Sequence, residues 1–497
     1  LWNLTIICFS AYYLIVIDCD FFNNSLLDKD NLGGHEMTAK DFRIESDTLG
    51  EVKIPATALW GPQTERSRNN FPTGNYMPLP LIKALLQLKK AAAQANLAEG
   101  NFDQVKSELI TKAIDQLLAL SDNELRQDFP LKVYQTGSGT QTNMNVNEVV
   151  ANKAAQINNQ IEILPNDDVN RGQSSNDIFP TAMNITASEA VAAVKKAAEH
   201  LIAELKVKQN KYWRTVKIGR THLQDATPLT FGQEVSGWVS MLEHDLQYLE
   251  QLEGTLFELA MGGTAVGTGL NAAPHFADDI AEKMSQVYGM QFTAKTNKFA
   301  GLAAHSGLNV VHGAFKTLAA DLMKIANDVR FLASGPRAGY DELNIPANEP
   351  GSSIMPGKVN PTQAEAITMA AVRVMGNDVV VDLASSQGNF EMNVYKPVLI
   401  DAFLESADLL AGTMTGFADK MIHGLTVNAT RMEELVDNSL MTVTALSPHI
   451  GYHDSAKIAQ SADQAGTTLK EAAIKSGKVT ADQFDEWVDP LKMTNID

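Results

Sequence analysis

Gly351-Ser352-Ser353-Ile354-Met355-Pro356-Gly357-Lys358-Val359-Asn360-Pro361 crowds glycine, proline, hydroxyl and amide groups and one cation into a single run. The run has neither helical nor strand periodicity, which predicts a loop. A helix-like pattern begins at Thr362, so the loop has a rigid support. Gly351 and Gly357 allow backbone geometry closed to other residues and leave N–H groups free to face a ligand. Lys358 and Asn360 can hold an anion through charge and directed hydrogen bonds. Ser352 and Ser353 place hydroxyls beside it. Most Gly/Pro loops are surface turns, so the run gains meaning only from what surrounds it.

Outward from that loop the chain is dominated by long helical patterns. Thr181 to Leu205, Phe231 to Leu259, Ala303 to Leu332 and Thr362 to Leu383 are rich in Ala, Val and Leu with few breakers. Their apolar residues spread over wide faces, as in helices buried on more than one side. This predicts a long helical bundle that assembles with copies of itself. Upstream, Phe42 to Ser46 and Glu51 to Ile54 alternate apolar and polar residues around Asp47-Thr48-Leu49-Gly50, a short hairpin. Pro80 to Gly100 and Phe102 to Leu120 read as helices. Pro448 to Asp497 is a more polar tail with two short helical patterns.

The chain has 497 residues, long enough for two or three domains, with the composition of an ordinary soluble protein. The formal charge is −19, which argues against a nucleic-acid-binding surface. It does not argue against an anionic small substrate, because local cations such as Lys358 can dominate a pocket. Leu1 to Ile17 is strongly apolar but too short for a membrane helix and lacks the flanks of a signal peptide. Residues 1–36 read as an upstream extension, with Met37 opening the folded body. Both cysteines, Cys8 and Cys19, lie in that extension. The body therefore has no disulfide, thiol nucleophile or cysteine metal site, which fits a cytoplasmic location.

Three further segments interrupt the helices. They are Thr136-Gly137-Ser138-Gly139-Thr140-Gln141-Thr142-Asn143, Pro165-Asn166-Asp167-Asp168 running on to Gln173-Ser174-Ser175-Asn176-Asp177, and Gly219-Arg220-Thr221-His222-Leu223-Gln224-Asp225. Hydroxyl, amide and backbone N–H groups all donate to carboxylate oxygens, so the set suits a small polyanion. Singly, each is as readily a capped turn, an N-cap or a structural histidine. Glu365 lies on the helix after Pro361, where most glutamates are solvated; alternatively it could hold His222 oriented and basic. No dinucleotide fingerprint, phosphate loop or HExxH is present, so neither a cofactor nor a metal is expected.

Taken together and in order, these segments resemble the fumarase/aspartase superfamily, and most closely its class II, iron-independent fumarate hydratases. Pro356 to Gln363 is similar to the fumarase form of the superfamily signature; aspartases usually carry Ala at the position of Gly357. The resemblance implies a mainly α, three-domain fold whose long-helix bundle forms the core of a homotetramer. The expected divisions are 37–173, 174–430 and 431–497. It implies reversible anti hydration of fumarate to (S)-malate in the tricarboxylic acid cycle, with aspartate ammonia-lyase as the alternative and a non-catalytic relative as a third reading. It assigns Ser352 as carbon base and His222, paired with Glu365, as the group that handles water. Substrate binding would fall to Ser138, Gly139, Thr140, Ser174, Ser175, Asn176, Thr221, Ser353, Lys358, Val359 and Asn360, in sites shared between subunits. Where the family often has His-Pro-Asn-Asp, forming a second dicarboxylate site, this chain has Leu164-Pro165-Asn166-Asp167. Leucine cannot donate to a carboxylate and Glu162 would repel one, so that second site is expected to be weak or absent.

Overall fold

The computed structural model describes residues 42–496; the extension expected at 1–36 lies outside the described residues. The first element is the hairpin foreseen from the alternation. Strand β1 (Phe42–Asp47) pairs antiparallel with β2 (Gly50–Pro55), Arg43 opposite Ile54 and Asp47 opposite Gly50. Helices α1 (Pro62–Asn70), α2 (Leu79–Ala98), α3 (Gln104–Leu118), α4 (Asp122–Asp128) and α5 (Thr140–Ile157) follow. The buried Glu148 of α5 ties this region together. Its carboxylate accepts N–H groups of Gly61, Gln63 and Thr64 at 2.9, 2.9 and 3.1 Å, and the Thr64 hydroxyl at 2.6 Å. Those are the open donors at the start of α1, whose own N-cap offers no side chain.

The centre is built from α6 (Ser175–Lys211), the ribbon β3 (Val216–Thr221) and β4 (Gln224–Thr230), α7 (Phe231–Leu252), α8 (Phe276–Tyr288), α9 (Lys298–Ala303), α10 (Ser306–Leu332), α11 (Thr362–Ser386) and α12 (Lys396–Phe417). The long helices close a ring: α6 packs on α7, α7 on α10, α10 on α11, α11 on α12 and α12 on α6. Leu201, Leu242, Leu322, Val374 and Phe403 fill its interior and are fully or almost fully buried. Each such side chain contributes about 1.5–3 kcal/mol by leaving water. One face of α11 stays bare: Met369, Val372, Val379 and Leu383 are 68, 62, 59 and 59% exposed, at spacings that place them on one stripe.

The last part holds α13 (Ala429–Asn438), α14 (Ser447–Ile450), α15 (Tyr452–Ala465), α16 (Leu469–Lys475) and α17 (Ala481–Trp487). Leu446, Ile458, Leu469 and Phe484 form a separate apolar cluster there. No helix among the described residues is long and apolar enough to cross a membrane.

Several element boundaries differ from the sequence reading. Helix α6 begins before Pro180 rather than after it. A capping box between Ser174 and Asp177 fixes its start, although Pro180 deprives the Asn176 carbonyl of a helical donor. Helix α7 stops at Leu252 and gives way to a 3-10 turn over Glu253–Leu256, a segment that contains Gly254. The tail has more helix than the two patterns expected, because Thr468 and Thr480 each cap a short one. Helix α12 is not foreseen at all: it starts at Lys396-Pro397 with no side-chain cap.

A Ser–His–Asp array lies inside the ring. His312 Nδ1 is 2.9 Å from Asp378 Oδ1, and its Nε2 is 2.8 Å from Ser406 Oγ. Ser406 has no exposure and its hydroxyl also donates to the Ala402 carbonyl at 2.8 Å, so no substrate reaches it. Burial lowers the imidazole pKa against the opposing pull of Asp378. The array fastens α10 to α11 and α12. His312→Leu should therefore lower the unfolding free energy by roughly 1–3 kcal/mol, read from urea midpoints.

Asp245 on α7 is 2% exposed, and neither of its oxygens meets a donor. Burial and the neighbouring Asp321 carboxylate push its pKa up to about 7. The folded chain then binds a proton that the unfolded chain releases near pH ~4, so this group lowers stability as pH rises from about 4 to 7. Asp245→Asn should raise the melting midpoint at pH 8 and leave it nearly unchanged at pH 4.

Candidate active site

The predicted binding hydroxyls meet at the N-terminal ends of α5 and α6. Gly139 has φ +80°, and a Cβ there would lie 2.2 Å from the Phe179 ring, so only glycine turns the chain into α5. Ser138 Oγ and Thr140 Oγ1 are 2.7 Å apart, and Thr140 Oγ1 is 2.7 Å from Ser175 Oγ. The Thr140 N–H also donates to Ser138 Oγ at 3.3 Å. Ser174 Oγ accepts the Asn176 N–H at 3.2 Å, while the Asn176 side chain donates to the Ala265 carbonyl at 2.7 Å. The cluster thus sits at two positive helix ends with hydroxyls that can turn to donate.

Buried polar groups hold this end in place. Asp177 is fully buried; its carboxylate accepts N–H groups from Ser174, Gly262 and Thr264 at 2.9, 3.1 and 2.8 Å. Burial raises its pKa to about 6 against the pull of those donors. The fully buried Lys89 donates to Asn170 Oδ1 at 2.8 Å and Gln173 Oε1 at 3.0 Å, fixing the chain just before Ser174.

The remaining predicted residues lie elsewhere. Thr221 and His222 form the exposed tip of the β3–β4 ribbon, where His222 and Leu223 have φ of 57° and 59°. The ribbon is held by Arg220, which donates to buried Glu342 at 2.8 Å, and Glu342 in turn donates its N–H to the Leu332 carbonyl ending α10. The loop Gly351 to Pro361 closes on itself. The Gly351 N–H donates to the Lys358 carbonyl at 3.0 Å, and Asn360 Nδ2 to the Gly351 carbonyl at 2.6 Å. A Cβ on Gly351 would sit 2.3 Å from the Lys358 carbonyl oxygen. Ser352 Oγ accepts the N–H groups of Ile354 and Met355 at 3.2 and 3.1 Å. Two donors on one hydroxyl oxygen favour its deprotonated form. Lys358, Val359, Asn360 and Glu365 line a cavity of about 420 Å³ with Arg330 and Ser334. Ser353 is exposed.

Within one chain these groups are far apart. The hydroxyl cluster marks the start of α6. The ribbon follows its end, with Phe231 N–H on the Thr215 carbonyl and Gly232 N–H on the Tyr212 carbonyl. The loop belongs to that far end too: Asn348 donates to the Lys420 carbonyl, and Lys208 near the end of α6 donates to the nearby His423 carbonyl. Helix α6 has 37 residues, and at 1.5 Å per residue that is roughly 55 Å. Among the described residues no hydrogen bond or ion pair joins Glu365 to His222, or either to the hydroxyl cluster.

Leu164 is 38% exposed and donates its N–H to Asp168 Oδ2 at 2.8 Å, opening a one-turn π-helix at Pro165–Val169. Asn166 and Asp167 are exposed and line an open cavity of about 800 Å³ with Asn170, Arg171 and Ser174. The leucine side chain brings no donor to it.

Residues 50–376 match the Lyase family, and residues 443–495 the family described as the fumarase C C-terminus. The chain is therefore a lyase of that superfamily. Fumarate hydratase class II of Listeria monocytogenes serovar 1/2a is 57% identical over 456 residues, covering 91% of this chain and 100% of its own. The Bacillus subtilis strain 168 protein of the same name is 52% identical, covering 91% and 99%. The crystal structure of recombinant class II fumarase from Schistosoma mansoni superposes with a TM-score of 0.88 at 41% identity, covering 91% of this chain and 99% of that one. The chain belongs to the class II fumarate hydratase family.

Gly137 is the tightest backbone contact at the cluster. A Cβ there would fall 1.3 Å from the Val394 carbonyl oxygen. Gly137→Ala should displace the Ser138–Thr140 turn and lower stability by at least ~1–3 kcal/mol, measured by denaturant unfolding.

Proposed function

We propose that this chain hydrates fumarate reversibly, adding water anti across the double bond to give (S)-malate, as a cytoplasmic step of the tricarboxylic acid cycle. The observation that carries the reading is the high identity to class II fumarate hydratases across nine-tenths of the chain. It is joined by the presence of His222, Ser352, Lys358, Asn360 and Glu365 together.

In the direction from malate, the Ser352 oxygen takes the proton from the carbon beside one carboxylate. The electron pair left behind spreads into that carboxylate as an aci-carboxylate dianion. Lys358, Asn360 and loop N–H groups stabilise it by charge and directed donors. His222, oriented by Glu365, then gives a proton to the departing hydroxyl, which leaves as water. Ser138, Gly139, Thr140, Ser174, Ser175, Asn176 and Thr221 hold the carboxylates, with Ser353 and Val359 at the loop side.

No single copy can do this, because α6 separates the hydroxyl cluster from His222 and the loop. We infer a homotetramer whose sites combine the cluster of one subunit with the ribbon tip and loop of others. The bare α11 stripe of Met369, Val372, Val379 and Leu383 supports that assembly. The divisions at 37–173, 174–430 and 431–497 belong to the same proposal, as does a second dicarboxylate site at Leu164, Pro165, Asn166 and Asp167 too poor in donors to bind. Dicarboxylate density against Asn166 and Asp167 in a soaked crystal would contradict that last point.

Incubation with malate and, separately, with aspartate, followed by fumarate absorbance in the ultraviolet, tests the activity. Fumarate is expected from malate; its appearance from aspartate alone would replace the hydratase by an aspartate ammonia-lyase. His222→Asn and Ser352→Ala should each lower turnover by at least ~10²-fold. Near-normal turnover in Ser352→Ala would remove it as the base.

A further inference from the structure

Lys396 is a buried charged side chain that no step above uses. It is fully buried, and its Nζ has no hydrogen-bond partner. It occupies the first position of α12, where the helix dipole already concentrates positive charge. Burial of an unpaired cation and a helix end of the same sign both oppose folding. Natural sequences keep such a conflict where function needs it.

Its surroundings say what the charge is for. The Lys396 N–H donates to the Gly137 carbonyl at 3.2 Å, and Val394 presses on Gly137 from the same segment. Lys396 therefore sits against the turn that carries Ser138 and Thr140. It also lies within electrostatic reach of Asp177, two residues beyond Ser175 on α6. Asp177 is already satisfied by three backbone donors, so it offers charge but forms no bond to Nζ. His305, at the start of α10, is 5% exposed, and its Nε2 is likewise without a partner. Burial and the charges of Lys396 and Lys295 lower its pKa to about 3, so the imidazole is neutral and Lys396 supplies the charge. The N-terminal ends of α6, α10 and α12 thus converge behind the hydroxyl cluster, with one unpaired ammonium among them.

We propose that Lys396 is a positioning residue for substrate: a buried cation behind Ser138, Thr140 and Ser175 whose unpaired charge is completed by the dicarboxylate those hydroxyls bind. The proposal rests on the reading of that cluster as a carboxylate site. It explains why the ammonium has no partner of its own. A tightly paired lysine would be neutralised before substrate arrived, whereas an unpaired one makes the pocket favourable only to an anion.

The test uses the full-length oligomer, with succinate as an unreactive dicarboxylate probe. Lys396→Met keeps the length of the side chain and removes the charge. Calorimetric titration should show succinate binding weakened at least ~10-fold, the scale of one lost charge-assisted hydrogen bond or close ion pair. The KM for fumarate should rise by a similar factor, with kcat changing less. The unliganded melting midpoint should stay level or rise, because a desolvated cation has gone. Lys396→Arg should restore succinate affinity at least in part. A Lys396→Met protein that is folded and binds succinate normally overturns the proposal. So does one that melts early or fails to fold, since that outcome makes the lysine structural. A wild type that binds succinate but leaves fumarate unchanged would instead refute the hydratase reading and leave the role of Lys396 intact.

Discussion

The buried carboxylate of Asp177 is the point on which one end of this molecule depends. It closes the capping box that starts α6, and it takes N–H groups from the Gly262 to Thr264 turn, which has no strand or helix to satisfy them. It is also the anion nearest two buried lysines, Lys89 and Lys396. A carboxylate so desolvated is costly unless every lone pair is used. Here three backbone donors occupy most of them, so the charge fixes backbone rather than side chains. Ser174, Ser175 and Asn176 are consequently placed by main-chain bonds, and the hydroxyls that meet Ser138 and Thr140 remain free to rotate toward a ligand.

The length of α6 is the second constraint. A bundle of long helices gives a stiff frame, but it puts loops only at its two ends. Residues proposed to meet one small substrate are then set toward opposite ends of a helix roughly 55 Å long. The proposed homotetramer would resolve this by association. The apolar stripe left on α11 has no partner among the described residues, and an antiparallel neighbour would bring opposite ends together. In that proposed assembly stability and catalysis would share a cause: the surface that needs covering is carried by the helices that separate the parts of the site.

Much of this was legible in the sequence. Alternation placed the first hairpin, and wide apolar faces placed α6, α7, α10 and α11 and implied their burial. The Gly351 to Pro361 run read correctly as a loop on a helical support, because glycine, proline and the lack of period are local signals. What was missed is mostly non-local. Helix α12 has no side-chain cap, and Pro397 at its start goes unread as a helix boundary. Lys89, His305 and Lys396 look like ordinary surface residues in sequence; only packing shows them buried. The same holds for His312, which gains its meaning from Asp378 and Ser406 on two other helices. Asp177 was visible only as a member of a polar motif.

An overall charge of −19 is poorly suited to a dianionic substrate if read as a single sum, and the structure shows why the sum misleads. Acidic residues are spread over the surface, where water and salt screen them within about a Debye length of ~8–10 Å. The positive groups that matter are few: Lys358 on the loop and, within the protein, the helix ends of α5, α6, α10 and α12 with Lys396 behind them. In a medium of low effective dielectric each interior group acts more strongly than several exposed carboxylates. An acidic exterior and a small interior positive region do not compete, because the protein interior separates them.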